Sequence, residues 1–155
     1  MPRALAPLVA DVMTYRPVTI GPQASLAEAA RLFERYEFGV LPVCEDGCLR
    51  GMLSRLDLLK PFAGTGGEPA ASFDEMLRER VGRVMRRDPQ TVAPSLPLGV
   101  AIETMIRTGR GSLPVTIGGL LVGIVTRQDV ARALCAPQRG ALAVSTLAPS
   151  CTPAA

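Results

Sequence analysis

A chain of 155 residues, 48% apolar and 20% charged, can bury a core and is too apolar to stay disordered. The formal charge of +3 is mild, its arginines are spread along the chain, and there is no histidine, the commonest catalytic base and metal ligand. The opening MPRALAPLVADVM is interrupted at Pro7 and Asp11, so no export signal is expected and a cytoplasmic location is. In that setting four cysteines read as reduced thiols rather than a disulfide framework.

An apolar turn ending at Met13 leads into PVTI at 17–20, which reads as a short strand. Ser25-Leu-Ala-Glu28 is a capping box, and Leu26, Ala29, Ala30 and Phe33 follow the spacing of one buried helix face. GVLPVCEDGCLRGMLS then predicts two strands about an Asp46-Gly47 turn. Cys44 and Cys48 flank that turn and could face each other. With no histidine and with Cys135 and Cys151 in unrelated segments, a zinc site is not expected.

A second helix opens at Ser54, and KPFAGTGGEPAA at 60–71 is a loop. Ser72-Phe-Asp-Glu75 is a third capping box. RERVGRVMRR at 78–87 is the densest basic stretch; it reads first as a solvated face, with phosphate-bearing small molecules or nucleic acid as the other readings. Few aromatics and no Trp count against single-strand stacking, so nucleic acid is not the expected partner.

PQTV at 89–92, a helix with the stripe Leu98, Ala101, Ile102 and Met105, and the hairpin GSLPVTIGGLLVGIVT about Gly118-Gly119 follow, then a helix opening at Thr126. The apolar run at 113–126 is too short and too turn-like to span a bilayer, so no membrane partner is expected. The ending at 136–155 is expected to be a low-complexity tail.

These elements recur. Val12-Met13 returns as Val84-Met85, and the same offset of 72 carries Pro17 to Pro89, Thr19 to Thr91, Leu41-Pro42-Val43 to Leu113-Pro114-Val115, Gly51 to Gly123, Arg55 to Arg127 and Asp57 to Asp129. No gap is needed. The expected fold class is α/β (α+β): two tandem β-α-β-β-α repeats at 9–60 and 81–135, joined by a linker and helix at 61–80 and packed about a pseudo-two-fold axis.

GMLSRLD at 51–57 and GIVTRQD at 123–129 close the two copies. Both contain [ST]-x-x-D, which is sufficient as a plain helix cap. The same geometry also aims backbone N–H groups and a hydroxyl at any anion lying there. A carboxylate one turn on could accept both hydroxyls of a ribose, and the neighbouring arginine could face phosphate.

On the D-V-M and R-V-M openings, the P-x-T segments, the G-x-L-P-V strands and the closing G-x-x-[ST]-x-x-D, the chain resembles a tandem CBS-domain protein, a stand-alone CBS pair or Bateman module. The resemblance implies a non-catalytic regulatory protein that binds an adenosine-containing ligand such as AMP or ATP in clefts between the repeats. It further implies homodimerisation and a separate effector protein. Carried over, one ligand set is Thr19, Phe38, Gly39, Val40 and Pro42 with Thr126, Arg127 and Asp129. The other is Thr91, Arg110, Gly111, Ser112 and Pro114 with Ser54, Arg55 and Asp57. Because Phe38 in one set is replaced by Arg110 in the other, the two are expected to be unequal. A ligand-free dimerisation scaffold is the alternative. No Walker loop, G-x-S-x-G or metal-binding cluster is present in the sequence, so no enzyme activity and no catalytic cofactor are expected.

Overall fold

The computed structural model describes residues 6–63 and 72–135, so the expected tail and most of the 60–71 loop lie outside the described residues. In chain order the elements are α1 (Val9–Val12), β1 (Thr14–Tyr15), α2 (Leu26–Arg35), β2 (Val40–Glu45), β3 (Cys48–Ser54) and α3 (Arg55–Leu59). A 3₁₀ turn (Lys60–Phe62) follows, then α4 (Phe73–Leu77), α5 (Val81–Val84), β4 (Arg86–Arg87), α6 (Leu98–Thr108), β5 (Ser112–Ile117), β6 (Leu120–Thr126) and α7 (Arg127–Cys135). Among the described residues no helix is long and apolar enough to cross a membrane.

The chain divides into two compact units, and neither is a simple run of sequence. One comprises residues 18–89; the other joins residues 6–17 to 90–135. Each unit therefore carries the leading segment of the opposite copy.

In the 18–89 unit, β3 lies between β2 and β4 in an antiparallel sheet, with Gly51 opposite Arg87 and Met52 opposite Arg86. Val81 and Gly82 donate N–H bonds to the carbonyls of Ala24 and Pro22, both at 2.8 Å, which fixes α5 beside the start of α2. Of the expected stripe, Leu26, Ala29 and Phe33 are buried and Ala30 is half-buried; Leu41, Val43, Leu53, Val81 and Met85 are buried as well. Burying a Leu or Val side chain contributes about 1.5–3 kcal/mol, so this face supplies the driving force that short helices lack.

The other unit repeats the plan, with β6 between β5 and β1 and Thr14 opposite Ile124. Val9 and Ala10 donate to the carbonyls of Leu96 and Pro94 at 2.8 and 2.9 Å. Its core joins Val9, Met13, Leu98, Ala101, Met105, Leu113, Val115 and Val125.

The two hairpins are solved alike. Asp46-Gly47 and Gly118-Gly119 take φ values of 51°, 78°, 57° and 83°, the left-handed pair that a two-residue turn between right-twisted strands requires. Each hairpin also shifts register once, after Val43 and after Val115, leaving Arg50 and Val122 bulged on β3 and β6. The expected strands at 17–20 and 89–92 shrink to single parallel bridges, Ile20 to Val43 and Val92 to Val115. Pro17 and Pro89 have no N–H to extend the ladder.

The heptad glycines serve the leading segments. A Cβ on Gly51 would sit 2.5 Å from the Arg86 carbonyl oxygen and 2.8 Å from Met85 Sδ; one on Gly123 would sit 2.7 Å from Met13 Sδ and 2.8 Å from the Thr14 carbonyl oxygen. Only glycine lets these backbones approach so closely.

Candidate ligand-binding site

Both closing motifs form complete capping boxes. Ser54 Oγ accepts the Asp57 N–H at 3.1 Å, while Asp57 Oδ2 accepts the Ser54 N–H at 2.9 Å and its hydroxyl at 2.7 Å. Thr126 and Asp129 reproduce this at 3.2, 2.8 and 2.7 Å. The capping reading is therefore realised twice, and in each case the cap itself uses only one carboxylate oxygen.

The second oxygen separates the copies. Asp57 Oδ1 accepts from Lys60 Nζ at 2.6 Å, and Arg86 Nε lies 3.5 Å from Oδ2. That Nε is buried and makes no hydrogen bond, so the contact is an ion pair without aligned bonding. Burial alone would push the Asp57 carboxyl upward, but the Lys60 ammonium and the Ser54 N–H and hydroxyl outweigh it and hold the group below the usual carboxylate range. Asp129 is half-buried, and among the described residues its Oδ1 has neither a hydrogen bond nor an ion pair. At the offset of 72, Arg86 corresponds to Thr14 and Lys60 to Arg132.

The arginines of the motifs also diverge. Arg55 donates its N–H to the Gly39 carbonyl at 3.3 Å, Nε to the Phe38 carbonyl at 2.8 Å and Nη2 to the Phe33 carbonyl at 3.1 Å, and it lies 5.8 Å from the Phe33 ring centroid. It thereby ties the turn before β2 onto α3. Arg127 donates its N–H to the Gly111 carbonyl at 2.9 Å, and its guanidinium lies where a Gly111 Cβ would stand, 2.5 Å from Nε. Gly39 has open space at the same point. Phe38 is 37% exposed and stacks on Tyr36 with ring centroids 5.2 Å apart. Arg110, its counterpart, is exposed.

Pairing of Val40 with Ser54 and of Ser112 with Thr126 sets each G-x-L-P-V strand against its own copy's closing motif. Ile20 and Val92 donate to the carbonyls of Pro42 and Pro114, both at 3.1 Å, and so bring Thr19 and Thr91 to the same strands. The 18–89 unit thus holds Thr19, Phe38, Gly39, Val40, Pro42, Ser54, Arg55 and Asp57; the other holds Thr91, Arg110, Gly111, Ser112, Pro114, Thr126, Arg127 and Asp129. Sequence reading missed Lys60 and Arg86 as partners of Asp57. Lys60 was visible at i+3, whereas Arg86, on β4, is brought to Asp57 only by the fold.

Cys44 and Cys48 are half-buried free thiols near the first turn. Burial, reinforced by Cys48, pushes the Cys44 thiol to about 11, so it stays protonated at neutral pH. No metal-binding cluster occurs among the described residues.

The chain matches the CBS domain family over residues 9–64 and 81–136. It is 30% identical over 123 residues to the CBS domain-containing protein YhcV of Bacillus subtilis, covering 79% of this chain and 82% of that one. It is 32% identical over 126 residues to the homoserine O-acetyltransferase of Methanococcoides burtonii, covering 80% of this chain but 23% of that enzyme. Among solved structures, CBSX2 in complex with AMP superimposes with a TM-score of 0.71 at 31% identity, covering 82% of this chain and 95% of that one.

Proposed function

The chain belongs to the CBS-domain family, and from that premise we propose that it is a non-catalytic regulatory module that binds an adenosine-containing ligand such as AMP or ATP. Occupancy would be passed to a dimer partner or a separate effector protein. The reading is supported by the AMP complex of CBSX2 and by the chemistry of the closing motifs.

The observation that carries it is Asp129 Oδ1, which has no partner among the described residues. A carboxylate braced through one oxygen by its own helix cap and open at the other is prepared to accept a ribose hydroxyl. The closing motif of Thr126, Arg127 and Asp129 is therefore the one assigned to the ligand. Asp57 would have to give up Lys60 before it could hold a ribose, which favours the scaffold reading for its own set.

Thermal melting with AMP, ATP, NAD and S-adenosylmethionine tests the proposal. At a ligand concentration 100 times Kd the folded state gains about 2.7 kcal/mol, a readily measured rise in Tm. The expected result is a rise specific to one adenosyl ligand and lost in Asp129→Asn. No rise with any of them, alongside a stable dimer, would favour the scaffold.

A further inference from the structure

At the far end of the 18–89 hairpin, Arg50, Arg80, Arg83 and Arg87 line a recess of about 550 Å³ with Gln23 and one carboxylate, Glu45. β2 runs from Val40, beside Ser54, to Glu45 at this recess, so about 17 Å of strand separates it from the capping box. We propose that the recess is a second anion site, which takes a compact polyphosphate group through its four guanidiniums.

The arginines are braced without being used up. Arg80 Nη1 donates to Gln23 Oε1 at 2.6 Å and Arg87 Nη2 to the Gly82 carbonyl at 3.0 Å. Arg50 Nε lies 3.4 Å from Glu45, and Arg83 Nε 3.4 Å from Glu79. Each contact occupies one N–H of a fork that has five, so further donors remain on each side chain for phosphate oxygens. Arg50 is the bulged residue of β3, and a bulge re-aims a side chain out of the ladder.

The second copy is an internal control. It repeats the backbone that frames the recess: the register shift on the hairpin and the paired N–H bonds from the short leading helix. At the offset of 72, however, Arg50, Arg80, Arg83 and Arg87 become Val122, Leu8, Asp11 and Tyr15. The fold therefore does not need the arginines. Gathering four like charges costs repulsion that exposed pairs with Glu45 and Glu79 repay weakly, which leaves an anionic ligand as their reason.

The composition of the recess selects the ligand class. No aromatic residue lines it, so it offers a base nothing to stack on, and its affinity lies in phosphate. It is a concave spot of small-molecule size rather than an extended basic stripe, which fits a di- or triphosphate better than a nucleic-acid backbone.

Isothermal titration of the full chain with sodium tripolyphosphate at low salt tests this. The expected result is one site per chain, weakened about tenfold in Arg83→Gln and lost in Arg50→Gln/Arg83→Gln. Both side chains are well exposed, at 51% and 76%, so the variants should melt like the parent. ATP should bind the recess no more tightly than tripolyphosphate, and any Tm response to AMP should survive in Arg83→Gln. Unchanged tripolyphosphate binding in the double variant would overturn the proposal, as would loss of the AMP response in Arg83→Gln. Tighter binding of duplex DNA or of phosphatidylglycerol vesicles than of tripolyphosphate would overturn it as well.

Discussion

At the start of α3, Asp57 is 2% exposed and divides its oxygens among Ser54, Lys60 and Arg86; at the start of α7, Asp129 is half-buried and engages Thr126 through one oxygen. The motif, the cap and the flanking glycine are the same, so the contrast arises from neighbours outside the motif. At the hairpin tips the two copies diverge again, with arginines around one and Leu8, Tyr15, Ile117 and Leu120 exposed near the other. The repeat supplies two equivalent frames, and side chains outside the repeated motif make them chemically different.

If the frames are equivalent, damage to their shared parts should cost the same in both. Gly51→Ala and Gly123→Ala force a methyl into a backbone carbonyl and a methionine, and each should destabilise by about 2–3 kcal/mol in denaturant unfolding. A large cost at one and none at the other would break the equivalence. The anchors should differ. Asp57→Asn leaves the buried Arg86 Nε facing a neutral group and should cost about 2 kcal/mol, a figure held down by the exposure of Lys60 and Arg86. Asp129→Asn should cost less than about 1 kcal/mol.

The pH dependence sharpens that difference. Because the folded Asp57 carboxyl titrates below its unfolded value near 3.9, its contribution is fully present above that pH and is lost as pH falls through the lower, folded value. The stability gap between the parent and Asp57→Asn should therefore hold from neutral pH down to about pH 5 and close in stronger acid. A gap that instead closed on going alkaline of neutrality would contradict the assignment. The cap hydroxyls should again behave alike: Ser54→Ala and Thr126→Ala should each cost about 1 kcal/mol, and equally.

The features legible in the sequence were local ones. The capping boxes at Ser25, Ser54 and Ser72 form as their spacing predicts, because a hydroxyl and a carboxylate three residues apart meet across one helical turn. The glycine turns and the buried stripes of α2 and α6 follow from equally short-range rules. The exchange of leading segments was not legible, since the bond from Val9 to Leu96 joins residues far apart in the chain and no periodicity encodes it. For the same reason the motif revealed both aspartates but not that Arg86 lies against one of them. RERVGRVMRR read as a face; the bulge at Arg50 and the seating of α5 turn it into the wall of a recess.

The most direct test of the account is the stoichiometry of AMP binding, measured calorimetrically for the parent chain, Asp57→Asn and Asp129→Asn. One site per chain, retained in Asp57→Asn and abolished in Asp129→Asn, is the predicted result. Two equal sites, or loss only on replacing Asp57, would contradict it.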